Sequence, residues 1–207
     1  MEDRYFAELA QAFVRGRLAN SNASIHDGIE AGLRLHKFKS NAELPRVKRV
    51  LGILRGLQPQ SLLDVGSGRG TFLWPLLDAF PHVRVTAVDL SERRAADLGA
   101  VATGGINRLQ VACMDVQRPA LSARSFDIVT ALEVLEHLHD PHIALTHIVA
   151  MARRFVLLSV PSVPDDNPGH LHLFGVDQLL EMAERAGGVR TTIEHVLNHR
   201  IVLIRLG

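Results

Sequence analysis

The chain reads as an α/β protein: an open, mostly parallel sheet with helices on both faces and an antiparallel C-terminal edge strand. Three observations predict this. From residue 61 onward, short apolar runs alternate with longer segments of helical periodicity, and repeated strand–helix units make parallel strands covered by helices. Residues 61–70, Ser-Leu-Leu-Asp-Val-Gly-Ser-Gly-Arg-Gly, place a buried strand directly before a glycine-rich turn and an apolar helix that opens at Thr71. The last segment breaks the alternation, with two strand-like runs, 191–196 and 200–205, joined by Leu197-Asn-His199 as a hairpin. A length of 207 residues suits one domain with room for a sizeable core.

Each element has its own local reason. Tyr5, Phe6, Leu9, Phe13 and Leu18 are spaced as one face of an amphipathic helix. Asn20-Ser-Asn-Ala-Ser reads as a loop, after which Ser24 or Asp27 caps a short helix. Pro45 begins another, with Val47, Val50, Leu51 and Leu54 apolar and Arg46, Lys48, Arg49 and Arg55 facing elsewhere. Residues 1–58 are expected to form a helical lid on a 59–207 core, within a single domain. Strands are expected near 61–65, 83–88, 108–113, 126–131 and 154–160, and helices near 70–80, 91–99, 141–152 and 175–187. Ser91 is the better cap of the second of these helices, with Glu92 just inside it. In open sheets of this kind ligands bind beyond the carboxyl ends of the strands. The glycine turn, Asp89, Asp115 and Glu133 all fall at such ends.

The turn carries the first functional signal. Glycines let a ligand approach backbone N–H groups without Cβ collisions, and the helix N-terminus behind them adds partial positive charge. The dinucleotide fingerprint is G-x-G-x-x-G; here the order is Asp64, Gly66, Ser67, Gly68, then Gly70, with a carboxylate ahead of the glycines. Asp89 ends the second strand about twenty residues later, where a carboxylate can accept from both hydroxyls of a ribose. Cys113-Met114-Asp115 ends the third, and Ser125-Phe-Asp127 opens a fourth that leaves through Glu133-Val-Leu-Glu136-His137-Leu. These four marks, in this order, resemble the class I S-adenosylmethionine-dependent methyltransferases, especially their type 11 and 12 small-molecule members. The resemblance covers roughly residues 60–187 and implies a Rossmann-like, seven-stranded sheet. It also implies S-adenosylmethionine as cofactor, with Asp64, Gly66, Ser67, Gly68 and Gly70 around its amino-acid end. Asp89 and Leu90 would then lie at the ribose, Met114 and Asp115 at the adenine, and Glu133 nearby. The sequence departs from the family pattern before the fifth strand, where Met151-Ala-Arg-Arg-Phe replaces the usual Pro-Gly-Gly.

Methyl transfer is an in-line displacement that depends mainly on alignment, and good positioning is worth about 7–11 kcal/mol. What remains is to activate the nucleophile. If the chain turns helical after the fourth strand, Glu133, Glu136 and His137 share one face. With His170 or His172 from His170-Leu-His172-Leu-Phe174 they could hold a divalent cation, magnesium or zinc. The E-x-x-E-H piece resembles the ubiquinone-pathway O-methyltransferases and, with H-x-H-x-F, the small-RNA 2′-O-methyltransferases. In both, a metal would lower the pKa of a bound oxygen. The small-RNA enzymes continue with F-E-W, whereas Phe174 here leads into Gly175-Val176. Without metal, His137, His170 or His172 could act as general base.

Composition narrows the field. A formal net charge of +1 supplies no whole-chain argument for nucleic acid or membrane binding. Cys113 is the only cysteine, which fits a reducing compartment. Met1-Glu-Asp-Arg-Tyr-Phe lacks the pattern of a secretory signal, and no apolar run approaches a membrane span, so a cytoplasmic protein is expected. A local excess of five Lys or Arg over one acidic residue between Leu35 and Arg49 reads as a solvated face or as a lid meeting an anionic substrate. The reading is a methyltransferase acting on a small molecule, most simply at oxygen. RNA 2′-O-methylation and a non-catalytic subunit with the same fold are the alternatives, and the glycine spacing disfavours a nicotinamide dehydrogenase. Oligomeric state and acceptor are not legible.

Overall fold

A computed structural model describes residues 6–39 and 44–207 of the chain. Helices α1 (Ala7–Leu18), α2 (Ile25–Glu30) and α3 (Pro45–Leu57), with a 3-10 turn at Leu35–Phe38, precede the sheet. Tyr5, expected in the first helix, lies outside the described residues. Ser24 caps α2 in a reciprocal box with Asp27, and Pro45 opens α3 as the sequence suggests.

Seven strands follow: β1 (Ser61–Val65), β2 (Arg84–Asp89), β3 (Leu109–Cys113), β4 (Phe126–Leu132), β5 (Ala152–Pro161), β6 (Arg190–Val196) and β7 (His199–Arg205). Between them run α4 (Leu73–Ala79), α5 (Glu92–Thr103), α6 (Pro141–Met151) and α7 (Val176–Arg185). Ser91 caps α5 and Asp140 caps α6, each through its side-chain oxygen. The spatial order is β3-β2-β1-β4-β5-β7-β6. β1 pairs in parallel with both β2 and β4, and only β7 runs antiparallel to its neighbours.

The C-terminal hairpin therefore forms one margin of the sheet, but the antiparallel strand expected at the edge is one place in from it. α7 returns the chain so that β6 runs the same way as β5, and the tight turn at Leu197-Asn198 folds β7 into the gap between them.

Strand alternation sorts the core into two layers. Leu62, Ile128 and Leu157 face α1, α3, α4 and α5, while Leu63, Val129 and Leu158 face α6 and α7. β1 is buried along its whole length, as a central parallel strand must be. Its register with β4 is clamped at the amino end. Asp127 Oδ2 accepts from the Gln60 and Ser61 N–H groups at 2.9 and 3.0 Å, and the Asp127 N–H donates back to Ser61 Oγ.

The N-terminal helices enter this core. Leu9 and Phe13 of α1 and Val50 and Leu54 of α3 are buried in the same layer as Leu62. α1 crosses α5 where glycines remove the obstruction: a Cβ on Gly16 would sit 1.9 Å from the Ala100 carbonyl oxygen, and one on Gly104 1.7 Å from that of Ala12. No helix among the described residues is long and apolar enough to cross a membrane.

Candidate active site

The carboxyl ends of β1, β2 and β4 open into a cleft of about 610 Å³. At the end of β1 the chain turns upward through Gly66 and Ser67, whose N–H groups both donate to the Val88 carbonyl, tying the turn to β2. Asp64 is buried beneath it. Its two carboxylate oxygens accept from Ser67 Oγ at 2.7 Å and Thr130 Oγ1 at 2.8 Å. Burial pushes the Asp64 carboxyl up to about 6, against the pull of those two hydroxyls, with the charge of Asp89 adding to the rise.

The glycines divide by role. A Cβ on Gly66 would lie 2.5 Å from Val134 Cγ2, and one on Gly70 2.0 Å from the Trp74 ring, so both are demanded by packing. Gly68, at φ +59°, meets nothing closer than 3.7 Å and opens onto the cleft. Its N–H donates to Asp89 Oδ2 at 2.8 Å, while Asp89 Oδ1 accepts from the Ser91 N–H at 2.9 Å. Asp89 is thus a buried acceptor at the cleft wall, and the helix cap belongs to Ser91. Leu90, 69% exposed, forms the rim.

Of the residues singled out from sequence, Asp64, Gly66, Ser67, Gly68, Asp89, Leu90, Glu133 and His137 line this cleft. Gly70, Met114 and Asp115 do not. Met114 packs in the core beside Val88 and Val116, and Asp115 turns its carboxylate to the Gln117 N–H at 2.9 Å. Asp115 still lies at the same end of the sheet, since the Met114 N–H donates to the Asp89 carbonyl.

The exit from β4 differs from the helical face expected for Glu133, Glu136 and His137. Glu133 takes a left-handed conformation, φ +58°, and only Leu135–His137 form a 3-10 turn. The strained residue is held from three directions: its N–H donates to the Ser159 carbonyl, Oε1 accepts from Ser159 Oγ at 2.5 Å, and Oε2 meets His199 Nε2 at 3.2 Å. Glu133 is therefore turned away from Glu136.

Glu136, His137 and His170 come together instead, with one potential ligand atom from each lying within 4.8 Å of the others. Glu136 is fully buried and neither of its carboxylate oxygens has a hydrogen-bond partner. Burial, and then the charge of Glu133, raise its carboxyl to about 8. His137 Nδ1 lies 2.7 Å from the Gly169 carbonyl, which can only accept, so Nδ1 carries a proton and the lone pair of the neutral ring is on Nε2. His170 is held by Asp165 at 2.8 Å and Asn167 at 3.0 Å.

His172, expected as a ligand or base, is neither on the wall nor in the cluster. Its Nε2 binds the Leu138 carbonyl at 2.9 Å and its ring stacks on Phe174, which commits the side chain away from Glu136.

Sequence reasoning missed Arg69 and Arg94, two cations on the cleft wall, and the Ser159–His199 support of Glu133. Arg46 belonged to the basic stretch read as a solvated face or as a lid meeting an anion, and the placement of α3 against the glycine turn puts it on the cleft wall.

The methyltransferase-domain family model matches residues 36–196. A ubiquinone biosynthesis O-methyltransferase of Nitrosomonas europaea is 31% identical over 101 residues, 46% of this chain and 40% of that protein. A nocamycin O-methyltransferase of Saccharothrix syringae is 35% identical over 89 residues, 42% of this chain and 32% of that protein. The matches thus span less than half the length of these curated relatives. Among solved structures, a SAM-dependent methyltransferase from Aquifex aeolicus superposes with a TM-score of 0.68 at 20% identity, covering 81% of this chain and 93% of that one. Magnesium protoporphyrin IX methyltransferase from Synechocystis, with bound SAM, gives 0.62 at 20% identity over 78% of each chain. At such identities these structures speak for the fold, and the family model for descent. The chain belongs to the methyltransferase-domain family, on the class I S-adenosylmethionine-dependent fold.

Proposed function

We propose that this chain binds S-adenosylmethionine in the cleft at the ends of β1, β2 and β4 and transfers its methyl group to an oxygen of a small molecule. The observation that carries this reading is the convergence on one cavity of Asp64, the open Gly68, Asp89 and His137, from three separate segments of the chain. In this reading the Asp64 carboxylate faces the cofactor ammonium. Arg46 offers a charge-assisted partner to its carboxylate group, and Asp89 accepts from the ribose hydroxyls with the lone pairs left over from Gly68 and Ser91. Asp115 lies one residue beyond the contact with Asp89, on the adenine side. His137, with Nδ1–H committed to Gly169, presents Nε2 as general base to the acceptor hydroxyl. The relatives, a ubiquinone biosynthesis O-methyltransferase and a nocamycin O-methyltransferase, favour oxygen as the acceptor atom. The start of α3, which brings Arg46 and Val47 to the cleft, serves as the lid, since α1 is anchored on α5.

The orphaned Glu136 carboxylate favours a second reading, in which a divalent metal assists. A buried carboxylate without partners, beside two imidazoles, is a donor set that fits such an ion once His170 gives up its Asn167 contact, and the nitrogen share suits zinc better than magnesium. Glu136, His137 and His170 would hold it, and its chemistry would be to acidify an acceptor oxygen. Glu133 and His172 have no part in that set. RNA as acceptor finds no specific support in the cleft.

The test is calorimetry of S-adenosylhomocysteine with the purified chain, followed by labelled methyl transfer to phenolic and carboxylic acceptors with and without chelator. Micromolar product binding and transfer lost in His137→Ala are expected. No cofactor binding would overturn the reading, and full transfer in chelator would remove the metal.

A further inference from the structure

A second cleft, of about 650 Å³, adjoins the first and shares Gly68, Arg69 and Arg94 with it. Its charge is lopsided. Arg17 from α1, Arg34 and Lys37 from the 3-10 turn region, Arg69 from the glycine turn, and Arg93 and Arg94 from α5 line it, against the single carboxylate of Asp97. That carboxylate is taken, by Lys37 Nζ at 2.6 Å. The chain as a whole holds 23 Lys and Arg against 22 Asp and Glu, so the concentration is local and does not follow from composition. Among the described residues, Arg17, Arg34, Arg69 and Arg93 pair with no carboxylate. Two of the cations also stand where a helix resists them. Arg93 and Arg94 occupy the first turn of α5, whose exposed N–H groups favour anions. An anion in the cleft would reverse that unfavourable placement and relieve the mutual repulsion of the arginines.

The floor is rigid, which separates a binding site from a loose basic surface. Lys37 lies over the Phe13 ring at 4.1 Å while paired to Asp97, so the 3-10 turn is pinned to both α1 and α5. Phe38 packs at a tilt between Phe13 and Trp74, with ring centroids at 5.3 and 5.0 Å. The arginines thus surround a concavity of small-molecule size, carried on three helices' worth of fixed backbone.

We propose that this cleft binds the phosphate or carboxylate groups of a small polyanionic ligand, and that these groups are the tail of the methyl acceptor. The second clause rests on the methyl-transfer reading; the anion site itself does not. The shared wall at Gly68, Arg69 and Arg94 lets one molecule span both cavities, with its charged end among the arginines and its hydroxyl end toward His137.

The experiment uses the full chain, inorganic tripolyphosphate as probe, and the fluorescence of Trp74, the only tryptophan, which lines this cleft. Saturable one-to-one binding at low salt is expected, weakened at least tenfold in Arg34→Ser/Arg93→Ser. Both residues are exposed and lie outside the cofactor cleft, so that variant should keep its melting temperature and its affinity for S-adenosylhomocysteine within twofold. Tripolyphosphate should also bind with S-adenosylhomocysteine already present. No saturable binding, or binding indifferent to the double substitution, overturns the site. Mutually exclusive binding of the two overturns the acceptor-tail assignment by placing the anion in the cofactor's own position. Stronger binding of a twelve-nucleotide RNA than of tripolyphosphate overturns the small-ligand assignment. A chain that binds tripolyphosphate but not S-adenosylhomocysteine would fail the methyl-transfer reading while keeping the anion site.

Discussion

Asp64 sits at an uncommon point on its titration curve for a carboxylate meant to face a cation. With its carboxyl raised to about 6 by burial, it is ionised at pH 8 and largely protonated at pH 5. Cofactor binding that needs the ionised form should therefore weaken about tenfold between those values, a factor of ten per unit below the pKa. Calorimetry of S-adenosylhomocysteine across that range checks this, and a flat profile would deny Asp64 the role. Asp89→Ala should lose at least tenfold in affinity at any pH, since a hydrogen bond to a charged group is worth about 1.5–3 kcal/mol. Unchanged affinity would reduce Asp89 to a brace for the Gly68 and Ser91 amides.

At the scale of elements, the glycine turn separates binding from packing. Gly68→Ala places its methyl in open space, at a left-handed backbone cost of about 1–2 kcal/mol, and should mainly weaken cofactor binding. Gly70→Ala drives a methyl into the buried Trp74 ring and should lower the melting temperature far more. Paired thermal and binding measurements on the two variants would refute this division if both failed in the same way. Asp127→Ala, which removes the clamp on the Gln60 and Ser61 amides at the opposite end of the sheet, should cost stability and leave cofactor affinity alone. These elements were legible because strand and helix repeat lengths show directly in the spacing of Leu62, Val65, Val85 and Leu109. Ser91 and Pro45 announced their helices for the same local reason. The exit from β4 was not legible. Its Glu and His spacing suited a helix, but tertiary hydrogen bonds to Ser159 and His199 hold Glu133 in a left-handed turn that no local preference signals. The order of β6 and β7 also escaped, because a hairpin pattern does not say which of its strands meets the sheet. The role of Arg46 stayed open between solvent and a ligand, because helical periodicity tells which face is apolar and not what stands opposite the polar one.

For the molecule as a whole, two buried carboxyls set a pH trend. Asp64 and Glu136 hold their protons to about 6 and about 8 in the folded state, well above their ordinary values. Below those ordinary values both states are protonated and the groups are neutral in the balance. As pH rises through the window, the unfolded chain ionises first and folding loses ground. Stability should thus decline from about pH 4 to pH 8, with Glu136 contributing on the order of a few kcal/mol. Glu136→Gln should remove most of its share, raising the melting temperature by several degrees at pH 8 and by little at pH 4.5. A uniform shift at both pH values would mean that the carboxyl is already ionised when folded, as a bound cation would make it.

The place of β7 has a consequence for how the chain tolerates shortening. Loss of a margin strand usually trims a sheet and leaves its remaining ladder intact. Here, removing residues 199–207 takes away the sole partner of β6 and strips β5 along one whole side. The ten-residue β5, apolar from Val156 to Leu158, would then present a long row of unpaired amides to any other chain. Such a stretch is a template for intermolecular pairing, so a truncated chain should accumulate as insoluble aggregate rather than as a slightly weakened monomer.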